Sequence, residues 1–174
     1  GRTSYSTSGV GSSDQMTMEL FKRITGTDPA HLPYPGGGAA ITDLLAGNVQ
    51  LMVTNLGVLT PHIEAGRMRA ILITARERSR LLPQVPTAIE AGLPDLVVTS
   101  WQAIMAPPGM PAPLLRRVHG EVAKALRDPG TQQRLEAIGF DVVAGTPEEL
   151  AAFLREEIAR RHGWSFTIHR TDRP

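Results

Sequence analysis

The sequence predicts an α/β fold, in which a mostly parallel sheet carries helices on both faces. Over the first hundred residues, short runs of β-branched and apolar residues alternate with stretches whose apolar residues recur at helical spacing. Two of the strand-to-helix junctions are rich in glycine. Strands separated by helices of this length indicate βαβ units, whose crossovers make neighbouring strands parallel.

The first part of the chain contains four predicted strands and four predicted helices. The strands are runs of small, β-branched or apolar residues at 3–7, 30–34, 49–53 and 68–75. Met16, Leu20 and Ile24 form the apolar stripe of the first helix, which Gly26 ends. Three shorter helices are predicted at 36–45, 60–65 and 87–91.

The second part begins near Leu96 and contains three predicted helices and two predicted strands. The strands are 97–106 and 140–143. One helix carries apolar residues along 115–126, one starts at Asp128 with a proline in its first turn, and one starts at a capping box, Thr146 to Glu149. Because these few elements bury little apolar surface, we expect this part to need further strands to complete its core.

The composition excludes several classes of protein. The 174 residues carry a formal net charge of +1, which provides no broad positive field for nucleic acid. There is no cysteine, so disulfides, thiolate zinc sites and a cysteine nucleophile are excluded. No apolar run approaches the roughly 20 residues that span a bilayer. The first residues do not have the pattern of a signal peptide, so we expect a cytoplasmic location if the chain is the complete product.

Two glycine-rich loops are the candidate binding elements. The first glycine loop, residues 8–13, joins a predicted strand to a helix, and Ser8, Gly9, Ser12 and Ser13 could present hydroxyls and amides to an anion. The pattern alone favours the other interpretation, an ordinary turn with a serine cap. The first glycine loop is not a dinucleotide-binding fingerprint, because no third glycine follows its first two.

The second glycine loop, residues 35–38, follows the next strand. Loops after successive parallel strands line one edge of a sheet, where open α/β folds bind ligands. We therefore take Tyr34, Gly36 and Gly37 as candidates. Asn55 follows the third strand and is either a ligand contact or a helix cap.

Catalytic and metal chemistry have little support. The five histidines show no metal-binding spacing, and neither a Gly-x-Ser-x-Gly elbow nor a phosphate loop is present. A hydrolase that uses Ser12 or Ser13 would need His31 as its base, whereas His31 is more simply a sheet histidine. We expect no cofactor, no metal and no catalytic residue.

Several segments in the right order resemble the Bug/TctC family, the substrate-binding proteins of tripartite tricarboxylate transporters. Residues 5–13 are similar to its Ser-Ser-Gly-x-Gly-Ser segment, and 31–39 to its His-x-Pro-Tyr-Lys-Gly-Gly-Gly-Pro stretch. The similarity continues through 42–49, 61–71, 82–94 and 106–109, and covers about residues 3–161. Pro35 stands where the family has a basic residue, and Thr54 where many members have an acidic one.

The resemblance implies a type II periplasmic-binding fold, with a small carboxylate held between two lobes. Residues 1–99 would be the inserted ligand-binding lobe, lobe two, and 100–162 the C-terminal part of an incomplete lobe one. Residues 163–174 form an atypical tail. The implied location is periplasmic, and the implied partners are a di- or tricarboxylate or an amino acid and two membrane subunits of the transporter, without nucleic acid. The alternatives are a non-functional truncated gene product and the ligand-sensing effector domain of a regulator.

Overall fold

The computed structural model describes residues 3–162, with side chains as far as Ala159. The predicted tail at 163–174 lies outside the described residues. Two compact units are present, one ending at Ser100 and the other beginning at Trp101. In the described part of the chain, no helix is long and apolar enough to cross a membrane.

The first unit is built on a three-stranded parallel sheet, as the sequence predicts. Strand β1 (Ser4–Thr7) lies at the centre, between β2 (Ala30–Pro33) and β3 (Leu51–Met52). Tyr5 pairs with His31 on one side and with Leu51 on the other. The third strand is shorter than the predicted 49–53, although Val49 just before it is buried.

Strand β1 is buried along its whole length, although three of its four residues carry a hydroxyl on a small side chain. Such burial is tolerated because the polar groups are hydrogen-bonded. The Ser4 hydroxyl donates to Gln50, the Ser6 hydroxyl to the Ala40 carbonyl, and the Tyr5 hydroxyl to Glu19 at 2.9 Å. Burial, reinforced by the Glu19 bond, holds the pKa of Tyr5 above its usual range.

Three helices flank the sheet. They are α1 (Ser13–Thr25), α2 (Gly37–Leu45) and α3 (Leu56–Glu64), the last starting four residues before the prediction. Gly26 ends α1 as predicted, in the left-handed conformation with φ +67°, and its N–H donates to the Lys22 carbonyl. Glycine suits this position because a Cβ disfavours that conformation.

Two predicted elements of the first unit are wrong. Residues 68–75 form no strand beyond one parallel bridge between Ile73 and Thr87. Residues 87–91 form turns instead of a helix. Thr87 and Glu90 do exchange the two bonds of a capping box, but Gly92 and Pro94 follow too soon for a helix to propagate.

The second unit contains α4 (Ala112–Arg127), α5 (Pro129–Ala137) and α6 (Pro147–His162). The predicted cap of α5 is confirmed, since the Asp128 carboxylate accepts the Thr131 N–H at 2.9 Å. The capping box of α6 is confirmed too, since Thr146 N–H donates to Glu149 and Glu149 N–H to the Thr146 hydroxyl.

The two strands predicted for the second part are wrong. Residues 97–106 and 140–143 have no strand conformation, because no strand of the described chain pairs with them. Ala123 is the only buried residue among the described side chains of this unit. Trp101 and Phe153 meet edge to face at 5.5 Å, yet these residues remain 37% and 38% exposed. The helices of this unit thus depend on local capping bonds, because its described residues form no buried core.

A pair of glycine substitutions tests the backbone argument at Gly26. Gly26→Ala should lower the free energy of unfolding by about 1 kcal/mol, because alanine is strained at that φ. Gly38→Ala, inside α2, should raise it by about 0.5–1 kcal/mol by restricting the unfolded chain. A Cβ would meet no atom within 4 Å at either position, so only the backbone conformation differs. Urea unfolding measures both, and a shift of equal sign would contradict the argument.

The stability of the first unit should depend on the charge of His31. Its ring stacks on Tyr5 at 4.9 Å, and burial lowers its pKa from 6.5, partly opposed by Glu19 and assisted by Lys22. The unfolded chain then binds the proton more readily, so stability is complete above about pH 6.5 and falls as the pH drops below that value. Thermal midpoints between pH 8 and 5 should show this loss. His31→Gln should flatten the profile in this range, and an unchanged profile would contradict the assignment.

Candidate functional site

The carboxyl ends of β1 and β2 bring the two glycine loops together. The Tyr34 N–H donates to the Thr7 carbonyl at 3.0 Å, which continues the sheet ladder to the start of both loops. A Cβ on Gly9 would lie 3.7 Å from the Tyr34 carbonyl oxygen, and Gly9 has φ +145°. The first loop therefore passes directly over the end of β2.

Two side chains of α1 hold the first glycine loop from within. The Asp14 carboxylate accepts both donors of Ser8, the hydroxyl at 2.5 Å and the N–H at 3.1 Å. The Gln15 side-chain oxygen accepts the Gly11 N–H at 2.7 Å. Asp14 and Gln15 are 6% and 8% exposed. Sequence reasoning missed both, although an acidic residue in the first turn after a glycine loop was a visible signal.

Ser12 is the N-cap of α1. Its hydroxyl oxygen accepts the Gln15 N–H at 3.3 Å, and its own N–H donates to the Gly9 carbonyl. The hydroxyl proton of Ser12 remains available. Ser13, the first residue of α1, has neither its N–H nor its hydroxyl bonded to any described residue.

His31 connects the sheet to the first loop through three hydrogen bonds in series. Gln15 Nε2 lies 3.4 Å from His31 Nδ1, His31 Nε2 lies 2.7 Å from the Thr7 hydroxyl, and that hydroxyl donates to the Gly9 carbonyl. All three are satisfied when neutral His31 carries its proton on Nε2 and accepts at Nδ1. The ring is thus a structural support of the loop, in line with the interpretation as a sheet histidine.

The second glycine loop is held differently. The Tyr34 hydroxyl donates to Asp43 Oδ2 at 2.5 Å, and the Asn48 amide donates to Asp43 Oδ1. These hydrogen bonds lower the pKa of Asp43, and the Asp43 bond raises that of Tyr34. Gly36 precedes α2 with φ +124° and provides no side-chain cap. The hydroxyl proton of Tyr34 is therefore used in the bond to Asp43 and is not available to a ligand.

Unbonded N–H groups remain where both loops pass into helices. Among the described residues, nothing accepts a bond from the N–H groups of Gly9, Val10, Ser13 and Asp14 at the first loop. The same holds for Gly37, Gly38 and Ala39 at the second. The starts of α1 and α2 also carry the positive ends of the helix dipoles. This edge of the sheet can therefore donate hydrogen bonds to a ligand and stabilise a negative charge on it.

Asn55 lies apart from the two loops. It follows β3, which pairs with β1 on the side opposite β2. Its Oδ1 accepts the Ser100 hydroxyl at 2.6 Å, and its side chain makes no capping bond to α3. Among the side chains described, no three histidine or acidic groups come together as a metal site.

The comparisons with known proteins agree on one family. The model of the tripartite tricarboxylate transporter family receptor, TctC, matches residues 1–165. BugT of Bordetella pertussis is 32% identical over 98% of this chain. The match covers 52% of BugT, and the chain spans about half the length of the curated relatives first matched.

Two solved structures from Rhodopseudomonas palustris share this fold. Rpa4515, solved with adipate, is 32% identical with a TM-score of 0.86, over 94% of this chain and 55% of that one. MatC, solved with bound malate, is 32% identical with a TM-score of 0.82, over 93% and 56%.

The matches run through both glycine loops and through both units of the described fold. The α/β fold with its parallel sheet is the one that the solved relatives have. This chain belongs to the TctC family of tripartite tricarboxylate transporter receptors.

Proposed function

We propose that this chain forms part of an extracytoplasmic solute receptor that binds a small organic carboxylate and catalyses no reaction. The observation that carries the proposal is the pair of adjacent loops whose unbonded N–H groups open the helices α1 and α2. A carboxylate accepts such hydrogen bonds at about 1.5–3 kcal/mol each, and each helix end adds about 0.3–1 kcal/mol. The site therefore needs no cation, which accords with Pro35 in place of a basic residue.

The ligand class follows from the family. Adipate and malate, found in the two solved relatives, are both small dicarboxylates. The site residues of this chain would be Ser12, Ser13, Gly9, Gly36 and Gly37, which present backbone N–H groups and hydroxyls. Ser8 and Tyr34 would support the loops, since their donors are already bonded to Asp14 and Asp43.

We further propose that residues 1–99 form one lobe of the receptor, lobe two, and that 100–162 form the C-terminal part of an incomplete lobe one. The first unit has its own buried core around Tyr5, Leu20 and Val49. The second has one buried residue among its described side chains, and several relatives, BugT among them, are about twice as long as this chain.

The location and partners follow from the same role. A receptor for a membrane transporter meets its solute before the membrane is crossed, so we place it in the periplasm. Its protein partners would be the two integral membrane subunits of the transporter. A formal net charge of +1 gives no reason to invoke nucleic acid.

Ligand binding is testable on the chain itself by NMR titration with adipate. A micromolar receptor has about −8.2 kcal/mol of binding free energy, and half of that leaves a millimolar site. We expect millimolar shifts confined to the amides of Gly9, Val10, Ser13, Gly37 and Gly38. Scattered shifts, or none up to the solubility limit, would contradict the proposed site.

Ser13→Ala should weaken this binding by about 1–3 kcal/mol, because it removes a hydroxyl that bonds only to the ligand. Ser13 is a sharper choice than Ser12, whose hydroxyl also caps α1. Ser79→Ala is the matched control, since that side chain bonds only the Leu81 N–H in the same unit. Equal affinity of the Ser13 variant and the Ser79 control would mean that the Ser13 hydroxyl faces no ligand.

A further inference from the structure

The first glycine loop already contains a carboxylate. Asp14 Oδ2 accepts the Ser8 hydroxyl at 2.5 Å and the Ser8 N–H at 3.1 Å, which is the pair of bonds that a ligand carboxylate would make there. The side chain is 6% exposed. A group from the chain itself therefore occupies the part of the loop that the sequence pattern assigns to a ligand.

Among the described residues, no cation balances the charge of Asp14. No described lysine, arginine or histidine forms an ion pair or hydrogen bond with it. It lies instead in the first turn of α1, so the helix dipole and the two Ser8 donors stabilise it. A second negative charge brought to the same loop would meet repulsion from this carboxylate.

The second loop has no such residue. The first turn of α2 contains no acidic side chain, and Gly36 offers no cap. Asp43, the nearest acidic group in that helix, lies toward its end and is bonded to Tyr34 and Asn48. The two loops are therefore similar in backbone but differ in charge, because only the first has a carboxylate in the first turn of the helix that follows it.

We propose that Asp14 is a specificity-determining residue, which makes the first glycine loop select an uncharged polar end of the ligand. This inference rests on the proposed function, because it concerns which carboxylates the site accepts. The favoured ligand then places a carboxylate at the start of α2 and a hydroxyl, carbonyl or amide at the first loop. Asp14 also positions the loop by fixing Ser8.

Asp14→Asn separates the charge of this residue from its hydrogen bonds. The amide oxygen of asparagine has two lone pairs and can accept both Ser8 donors, so the loop keeps its support while the charge is lost. Asp28→Asn is the matched control, because it removes the same charge from an exposed side chain that pairs with Lys22 and precedes β2 at the opposite end of the strand. Asp14→Ala removes support and charge together.

The test compares adipate with its monoamide, in which an uncharged amide replaces one carboxylate, by NMR titration of each full chain. We expect the original chain and Asp28→Asn to favour the monoamide. We expect Asp14→Asn to shift the ratio of the two affinities toward adipate by about tenfold or more. Because each ratio is taken within one variant, a change in stability cancels. Equal ratios in all three chains would overturn the proposal.

Sulfate provides an arm that does not depend on an organic ligand. Asp14→Asn should show larger sulfate-dependent shifts at the Gly9, Val10 and Ser13 amides than the original chain and Asp28→Asn show at the same sulfate concentration. A sulfate response equal in all chains would also overturn the role of Asp14. If the sulfate responses differ as expected while neither organic ligand binds any chain, the proposed function fails and the effect of Asp14 on the loop stands.

Discussion

Strand β1 can lie at the centre of the sheet only because each of its polar side chains finds a partner on a different element. Gln50, just before β3, accepts from Ser4, Glu19 of α1 accepts from Tyr5, and a carbonyl of α2 accepts from Ser6. An unpaired buried hydroxyl costs about 1–3 kcal/mol, so these bonds constrain where the neighbouring elements lie. The central strand thus sets the arrangement of its neighbouring elements through hydrogen bonds as well as through apolar packing.

The same constraint extends past the end of the strand into the candidate site. Thr7, the last residue of β1, shares its hydroxyl between His31 and the Gly9 carbonyl, and His31 in turn accepts from Gln15. The first glycine loop is therefore joined to the buried strand by side chains and does not depend on a ligand for its shape. A preorganised loop loses little conformational entropy on binding, which favours affinity from few contacts.

Local signals in the sequence predicted the parts of the fold that depend on nearby residues. Helix α1 with Gly26, α5 with Asp128 and α6 with Thr146 are as predicted, because caps and apolar stripes act within a few residues. The run at 97–106 looks equally like a strand, but a strand needs a partner that the pattern of its own residues cannot supply. Likewise the two glycine loops could be predicted, whereas the bonds from Asp14 to Ser8 depend on how the loop folds back over the start of α1.

The buried carboxylate of Asp14 joins stability and recognition in one place. Removing a charge from water costs several kcal/mol unless hydrogen bonds and dipoles replace the lost hydration. Ser8 and the start of α1 supply that replacement, and both belong to the limited set of donors at this edge of the sheet. Each donor that stabilises the internal carboxylate is one that a ligand cannot use. The loop therefore offers a ligand fewer hydrogen-bond donors, and a less positive environment, than its sequence pattern suggests. The bonds that hold the loop in place also restrict which ligands it can bind.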